Sequence, residues 1–226
     1  MAVVSSYGAM QSSIAYELGG RSDLTTQIQN AIQTAIAKWE RTKFYFNEVN
    51  DTNGFSTVAG QEFYTSADHP LIGSLVHIDK IHAFVSNNRY TLTPRTWQYI
   101  EDYSVNPTVQ APPTGLSDFA YYAETLRFYP LPDGAYPITI SGIQRLTSLV
   151  NDTDSNAWTN DAEALIRCEA KLDIYTNILK EHEQAQAMKM MIYGDPMQPN
   201  SVGYLSALQA ETFKRMPPPR VRPTYF

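Results

Sequence analysis

The apolar residues of this chain repeat with one period at its two ends and with another in its middle, and that change of period limits the fold more than any other feature. In SDLTTQIQNAIQTAIAKWERTKF, Leu24, Ile28, Ile32, Ala35 and Trp39 recur at steps of four and three, with Gln27, Asn30, Gln33 and Glu40 on the other faces. Such spacing lays one apolar stripe along an α-helix. Ser22 or Asp23 can cap it, and a shorter helix over Met10 to Leu18, stopped by Gly19 and Gly20, is expected before it. After Asn47 the pattern shortens to β-branched and aromatic runs cut by Gly, Pro, Asn and Asp, the texture of strands and turns. It predicts a hairpin of Phe55 to Val58 with Glu62 to Thr65 and strands at Val76 to Val85 and Tyr90 to Thr93. A helical turn in TWQYIEDY and strands at Asp118 to Ala123, Leu126 to Tyr129 and Tyr136 to Gln144 complete the block.

Helical spacing returns at Asn160, which has Glu163 three residues on, as in a capping box. Ala162, Leu165, Cys168, Leu172, Tyr175 and Leu179 form one stripe, and Ile166, Ala170, Ile174 and Ile178 form a second beside it. A single helix continuing to Ile192 is roughly 48 Å long at about 1.5 Å per residue. GDPMQPN interrupts the chain, and Ser201 can cap a last helix through Lys214. The expected fold is α+β: a helical bundle from segments 1–47 and 159–215, an inserted antiparallel β-domain at 48–158, and an extended C-terminal arm at 216–226.

Charge is divided between body and arm. The chain carries a formal charge of −6, yet KRMPPPRVRPTYF, Lys214 to Phe226, holds four basic residues and no acid, which leaves the body at −10. An acidic body lacks the clustered Lys and Arg that displace counterions from a phosphate backbone. With 43% hydrophobic and 18% charged residues the chain can bury a core. Cys168 is the only cysteine, so neither an intrachain disulfide nor a cysteine-based zinc site can form. The first residues, MAVVSSYGAMQSS, lack the basic and continuous apolar regions of a secretory signal, and no apolar run approaches the ~20 residues that cross a bilayer. Synthesis in the cytosol and no membrane association are expected.

Motifs that carry chemistry are missing from the sequence: it has no phosphate-binding Gly loop, HExxH, GxSxG or EF-hand loop. His77 and His82, five apart in one expected strand, are assigned to opposite faces, and His69 and His182 lie far off, so no metal site is expected. Glu181, Glu183, Glu101 and Asp102 are the carboxylates nearest to a glycosidase-like pair, and as acids on polar faces they are read as solvated. No catalytic residue and no cofactor are assigned. The aromatic cluster Phe119, Tyr121, Tyr122, Phe128, Tyr129 and Tyr136 is read as core of a small sheet before it is read as a row that stacks on sugars. Met188, Met190, Met191 and Met197 are read as soft core filling before an adaptable interface.

Five phrases in order carry a family likeness: DLTTQIQNAIQTAIAKWERTKFYFNE, STVAGQEFYT, IDKIHAFVSNNRYTLTPRTWQYIEDY, PPTGLSDFAYYAETLRFYPLPDGAYPITISGI and NDAEALIRCEAKLDIYTNIL. Over about Asp23 to Leu179 this succession resembles the head-to-tail adaptor proteins of short-tailed bacteriophages. The resemblance implies a structural virion protein, made in the host cytoplasm. It implies a ring, usually of twelve copies, that docks beneath the portal protein and gives the tail nozzle and other tail proteins a platform, while viral DNA passes through the bore without specific binding. On that reading Leu24, Ile28, Ile32, Trp39, Leu165, Leu172, Tyr175 and Leu179 pack the bundle and its neighbours. The proline-stiffened arm would reach the portal through Arg220, Arg222, Tyr225 and Phe226. A sugar-binding tail-fibre or receptor-recognition module is the alternative, which predicts exposed coplanar tyrosines, and a virion-associated muramidase is a more distant one.

Overall fold

Ser6 opens the first helix by accepting the N–H of Ala9 at 3.2 Å on its hydroxyl, and α1 (Tyr7–Glu17) ends before Gly19 and Gly20, whose φ angles of 85° and 76° favour glycine. The computed structural model describes residues 5–52, 54–103, 115–198 and 201–215. Their contacts divide the chain into two compact units, one of residues 1–46 with 146–226 and one of residues 47–145.

The first unit is helical. A 3-10 turn at Ser22–Leu24 leads into α2 (Thr25–Trp39), and Asp23 is bound to Arg21 at 2.8 Å rather than to the helix N-terminus. Leu149 and Trp158, which fall in the stretch 48–158 expected to form the β-domain, belong to the helical core. The capping box there uses Asn156 and Thr159, at the head of the short α5 (Ala157–Asn160), and not Asn160 and Glu163. α6 (Glu163–Asp173) passes into a π-helical turn at Ile174–Leu179. Lys180 then takes a left-handed conformation, φ 59°, and α7 (His182–Tyr193) packs back along α6. The single helix from Asn160 to Ile192 is therefore not formed. The reason is burial: Ala185, Met188 and Ile192 join the core only because the chain reverses, and a straight helix would leave them in water. α8 (Tyr204–Arg215) closes the unit against α7 and α6. At the centre Trp158 meets the rings of Phe44 and Phe46 edge-on, with centroids 6.0 and 5.0 Å away.

The second unit has two sheets. One orders β1 (Glu48–Asp51), β8 (Ile138–Gln144), β3 (Leu75–Val85) and β4 (Asn88–Thr91), all antiparallel. The other orders β2 (Phe63–Tyr64), β7 (Thr125–Tyr129), β6 (Asp118–Tyr122) and β5 (Thr93–Pro94), with the short β5–β6 pair parallel. Ile81, Ala83, Ile138 and Ile140 from the first sheet and Phe119, Leu126, Phe128 and Tyr64 from the second share one core with Leu71 and Ile72 of α3 (Pro70–Ser74). The expected hairpin around Ala59 and Gly60 is absent among the described residues: Ser56 bridges to Pro137, and β2 pairs with β7. The loop wraps the Tyr64 hydroxyl, which accepts from Val58 N at 2.9 Å and donates to Gln61 O at 3.1 Å. Gly142 has no alternative residue, because a Cβ there would lie 2.1 Å from the carbonyl oxygen of His77 on the neighbouring strand.

Candidate interaction surfaces

The eight residues expected to pack the bundle and its neighbours all fall in the helical unit. Leu24, Ile28, Ile32, Trp39, Leu165 and Leu172 are buried inside the single chain, and Tyr175 and Leu179 are half-buried at the edge of the same core. Arg220, Arg222, Tyr225 and Phe226 lie outside the described residues. The root of that segment is fixed to the helical unit. Thr212 accepts from Tyr45 N at 3.1 Å, and the Arg215 guanidinium lies 3.7 Å from the Tyr45 ring centroid. The Tyr45 hydroxyl donates to Asp161 at 2.8 Å. Burial, and then that bond, push the Tyr45 pKa up to about 12.

On the β unit, the core takes Phe119 and Phe128, and the Tyr121 hydroxyl donates to Ile72 O at 2.8 Å. The row of exposed tyrosines that sugar stacking needs is not formed by these residues; of the cluster, Tyr122 is the one left exposed. The aromatic surface is built from others. Phe63 faces Arg127 across β2 and β7, Arg127 faces Ala120 across β7 and β6, and the period of two places Tyr122 on that same outer face. α4 (Trp97–Tyr103) covers it, with the Trp97 ring 5.8 Å from that of Phe63 and 5.7 Å from that of Tyr122. Beneath the rings lies Arg127, 5% exposed, its guanidinium 5.2 Å from Phe63 and 5.3 Å from Trp97. Its charge is met by Glu62, at 2.7 Å from Nε, and by Glu101 at 3.8 Å, whose carboxylate also accepts the Trp97 indole N–H at 2.8 Å. A buried cation with two carboxylates holds these rings in fixed orientations. Sequence reading missed this site because Phe63, Trp97 and Arg127 come from three separate segments.

Met188 is core, but Met190, Met191 and Met197 are exposed, so three of the four methionines belong to a surface. His77 and His82 lie on one face of β3, since their partners in β8, Ile143 and Thr139, are an even number of residues apart; register shifts around Ile78 and Lys80 undo the odd spacing. Four residues of strand still separate those partners, about 13 Å, too far to share an ion. Burial, with Arg89 and Lys80 nearby, lowers the His82 pKa. Glu181 and Glu183 are exposed, and Glu101 is engaged as described. Among the described residues no group of three or more His, Cys, Asp or Glu side chains is placed to hold a metal ion, and no helix is long and apolar enough to cross a membrane.

The family model of the SU10 adaptor protein matches residues 5–218. No curated protein sequence matches the chain.

Proposed function

The chain belongs to the SU10 adaptor protein family, and from that premise we propose that it forms a ring under the portal protein and joins the capsid to the tail. The carrying observation is the match over residues 5–218, which spans both units and reaches into the C-terminal segment. A phage adaptor of this kind is a structural virion component. In the proposed assembly about twelve copies surround the DNA path, and tail nozzle or other tail proteins bind the outer side. The balance of charge supports this, since 23 acidic against 17 basic residues give a wall that does not retain DNA. Arg220, Arg222, Tyr225 and Phe226 supply the portal contact. The anchored Arg215 gives that segment a fixed origin, and the run Pro217 to Pro219 limits the conformational freedom it has to lose.

The test is binding of the purified chain to heads that carry the cognate portal. The intact chain is expected to co-sediment with them, and a chain lacking Pro217 to Phe226 is expected to be lost from the pellet. Equal binding of the truncated chain removes the arm from the account, and no binding of the intact chain removes the adaptor role.

A further inference from the structure

Glu169 of α6 is 8% exposed, and half of its carboxylate is matched. One oxygen accepts from the ammonium of Lys38 on α2, and the other has no hydrogen-bond partner among the described residues. An ammonium is a point donor, whereas a buried carboxylate has two oxygens to satisfy. Lys38 is also shared. It donates to the Tyr193 hydroxyl at 3.2 Å and lies 4.9 Å from the Trp39 ring centroid and 5.8 Å from that of Tyr193. Its side chain is 43% exposed, so it can leave Glu169 and keep those partners.

A pocket of about 250 Å³, lined from α2, α6, the π-helical turn and α7, adjoins this pair. Ala31, Ala35 and Leu172 are its buried apolar lining. The polar lining is rich in acceptors. Asp173 takes the Asn177 amide N–H on one oxygen at 2.6 Å, which leaves its second oxygen and the Asn177 carbonyl to accept, and Thr34 spends its hydroxyl proton on Asn30 O at 2.9 Å and keeps its lone pairs. Asn177 is placed by the π-helical turn, a local widening that recurs at functional sites. The charges on the lining balance, Glu169 and Asp173 against Lys38 and exposed Lys189. An anion would meet two carboxylates here, one of them buried. A metal ion lacks a third ligand among the described residues. A guanidinium on an aliphatic stem fits both parts of the wall: the stem lies on Ala31, Ala35 and Leu172, and the planar fork gives an N–H to each oxygen of Glu169.

We propose that this pocket takes an arginine side chain of a protein partner, paired through both guanidinium edges with Glu169 and held at its rim by Asp173. Lys38 then stays with Tyr193 and Trp39, and Lys189 turns to solvent. The site goes beyond the proposed ring and does not depend on it.

The probe is n-propylguanidinium, the arginine side chain without its backbone, titrated into the full chain and followed by amide NMR. Shifts around Ala31, Ala35 and Leu172 are expected to saturate at low-millimolar probe, n-butylammonium to bind several-fold more weakly, and Glu169→Gln to abolish saturation. The Lys38→Met chain, freed of the competing ammonium, is expected to bind the probe several-fold more tightly than the natural chain. Equal binding of the two cations, unchanged binding in Glu169→Gln, or no gain in Lys38→Met overturns the inference. The source of the arginine is read with the same Glu169→Gln chain. Weaker self-association assigns it to a second copy, weaker co-sedimentation with portal-bearing heads assigns it to another virion protein, and no change in either overturns the protein partner. Heads that bind the intact chain while the probe fails to saturate overturn this site alone, whereas heads that bind no chain overturn the proposed function and leave the titration standing.

Discussion

Arg127 shows how much one side chain can organise. It is buried beneath Phe63 and Trp97 and neutralised by Glu62, so its removal leaves a partly buried carboxylate without its partner. Arg127→Ala is expected to cost about 3 kcal/mol in chemical unfolding, and Arg127→Met combined with Glu62→Gln to recover much of that. Trp97 fluorescence is expected to shift in the single variant, because the ring loses the cation beneath it. Tyr45 provides a pH-dependent counterpart. Its folded pKa, near 12, stands above its ordinary value near 10, so its contribution is complete below pH 10 and is lost as pH rises towards 12. The loss is about 1 kcal/mol once solvent screening is discounted. Thermal melts of the protein between pH 9 and 12, compared with Tyr45→Phe, check this: the variant is expected to lack that part of the slope. Neither residue was legible beforehand. Arg127 sits in a strand phrase, TLRFY, that reads as ordinary alternation, and Tyr45 gains its role only when Asp161 and Arg215 are brought to it.

The elements divide by how local their causes are. α2 follows its 3.6-residue stripe, β3 and β6 to β8 begin and end within two residues of the expected positions, and the helical turn over Trp97 to Tyr103 forms as its sequence suggests. Errors arise where a distant partner decides. β1 has no alternation of its own and exists because β8 pairs with it, and β2 leaves its expected hairpin for β7. The break at Lys180 was hidden because TNILKEHEQAQ has no Gly or Pro, and only the burial of Ala185, Met188 and Ile192 requires it. Lys180→Gly is expected to raise stability by up to about 1 kcal/mol, since glycine adopts φ 59° without a Cβ penalty. A lower melting temperature in that variant would argue that the left-handed turn is not set at this residue. Gly142→Ala is expected to do the opposite and destabilise the first sheet by several kcal/mol, because the clash is with backbone that cannot rotate away.

For the molecule as a whole, family membership was readable from five phrases in order, and the match across residues 5–218 establishes it. The surfaces were less readable. Of the residues picked out by periodicity, Leu24, Ile28, Ile32, Trp39, Leu165 and Leu172 are buried within the chain and Tyr175 and Leu179 only in part, because a strong apolar stripe reports first what the chain buries by itself. Exposed surface is marked by weaker signals, such as methionines among polar neighbours, which gain meaning only once exposure is known. The central claim is that this chain is the ring between capsid and tail. Cryo-electron microscopy of virions carrying a tagged copy tests it most directly. The account predicts tag density at the head-to-tail junction, repeated around the axis in contact with the portal; tag density on fibres, or no tag in the purified virion, would contradict it.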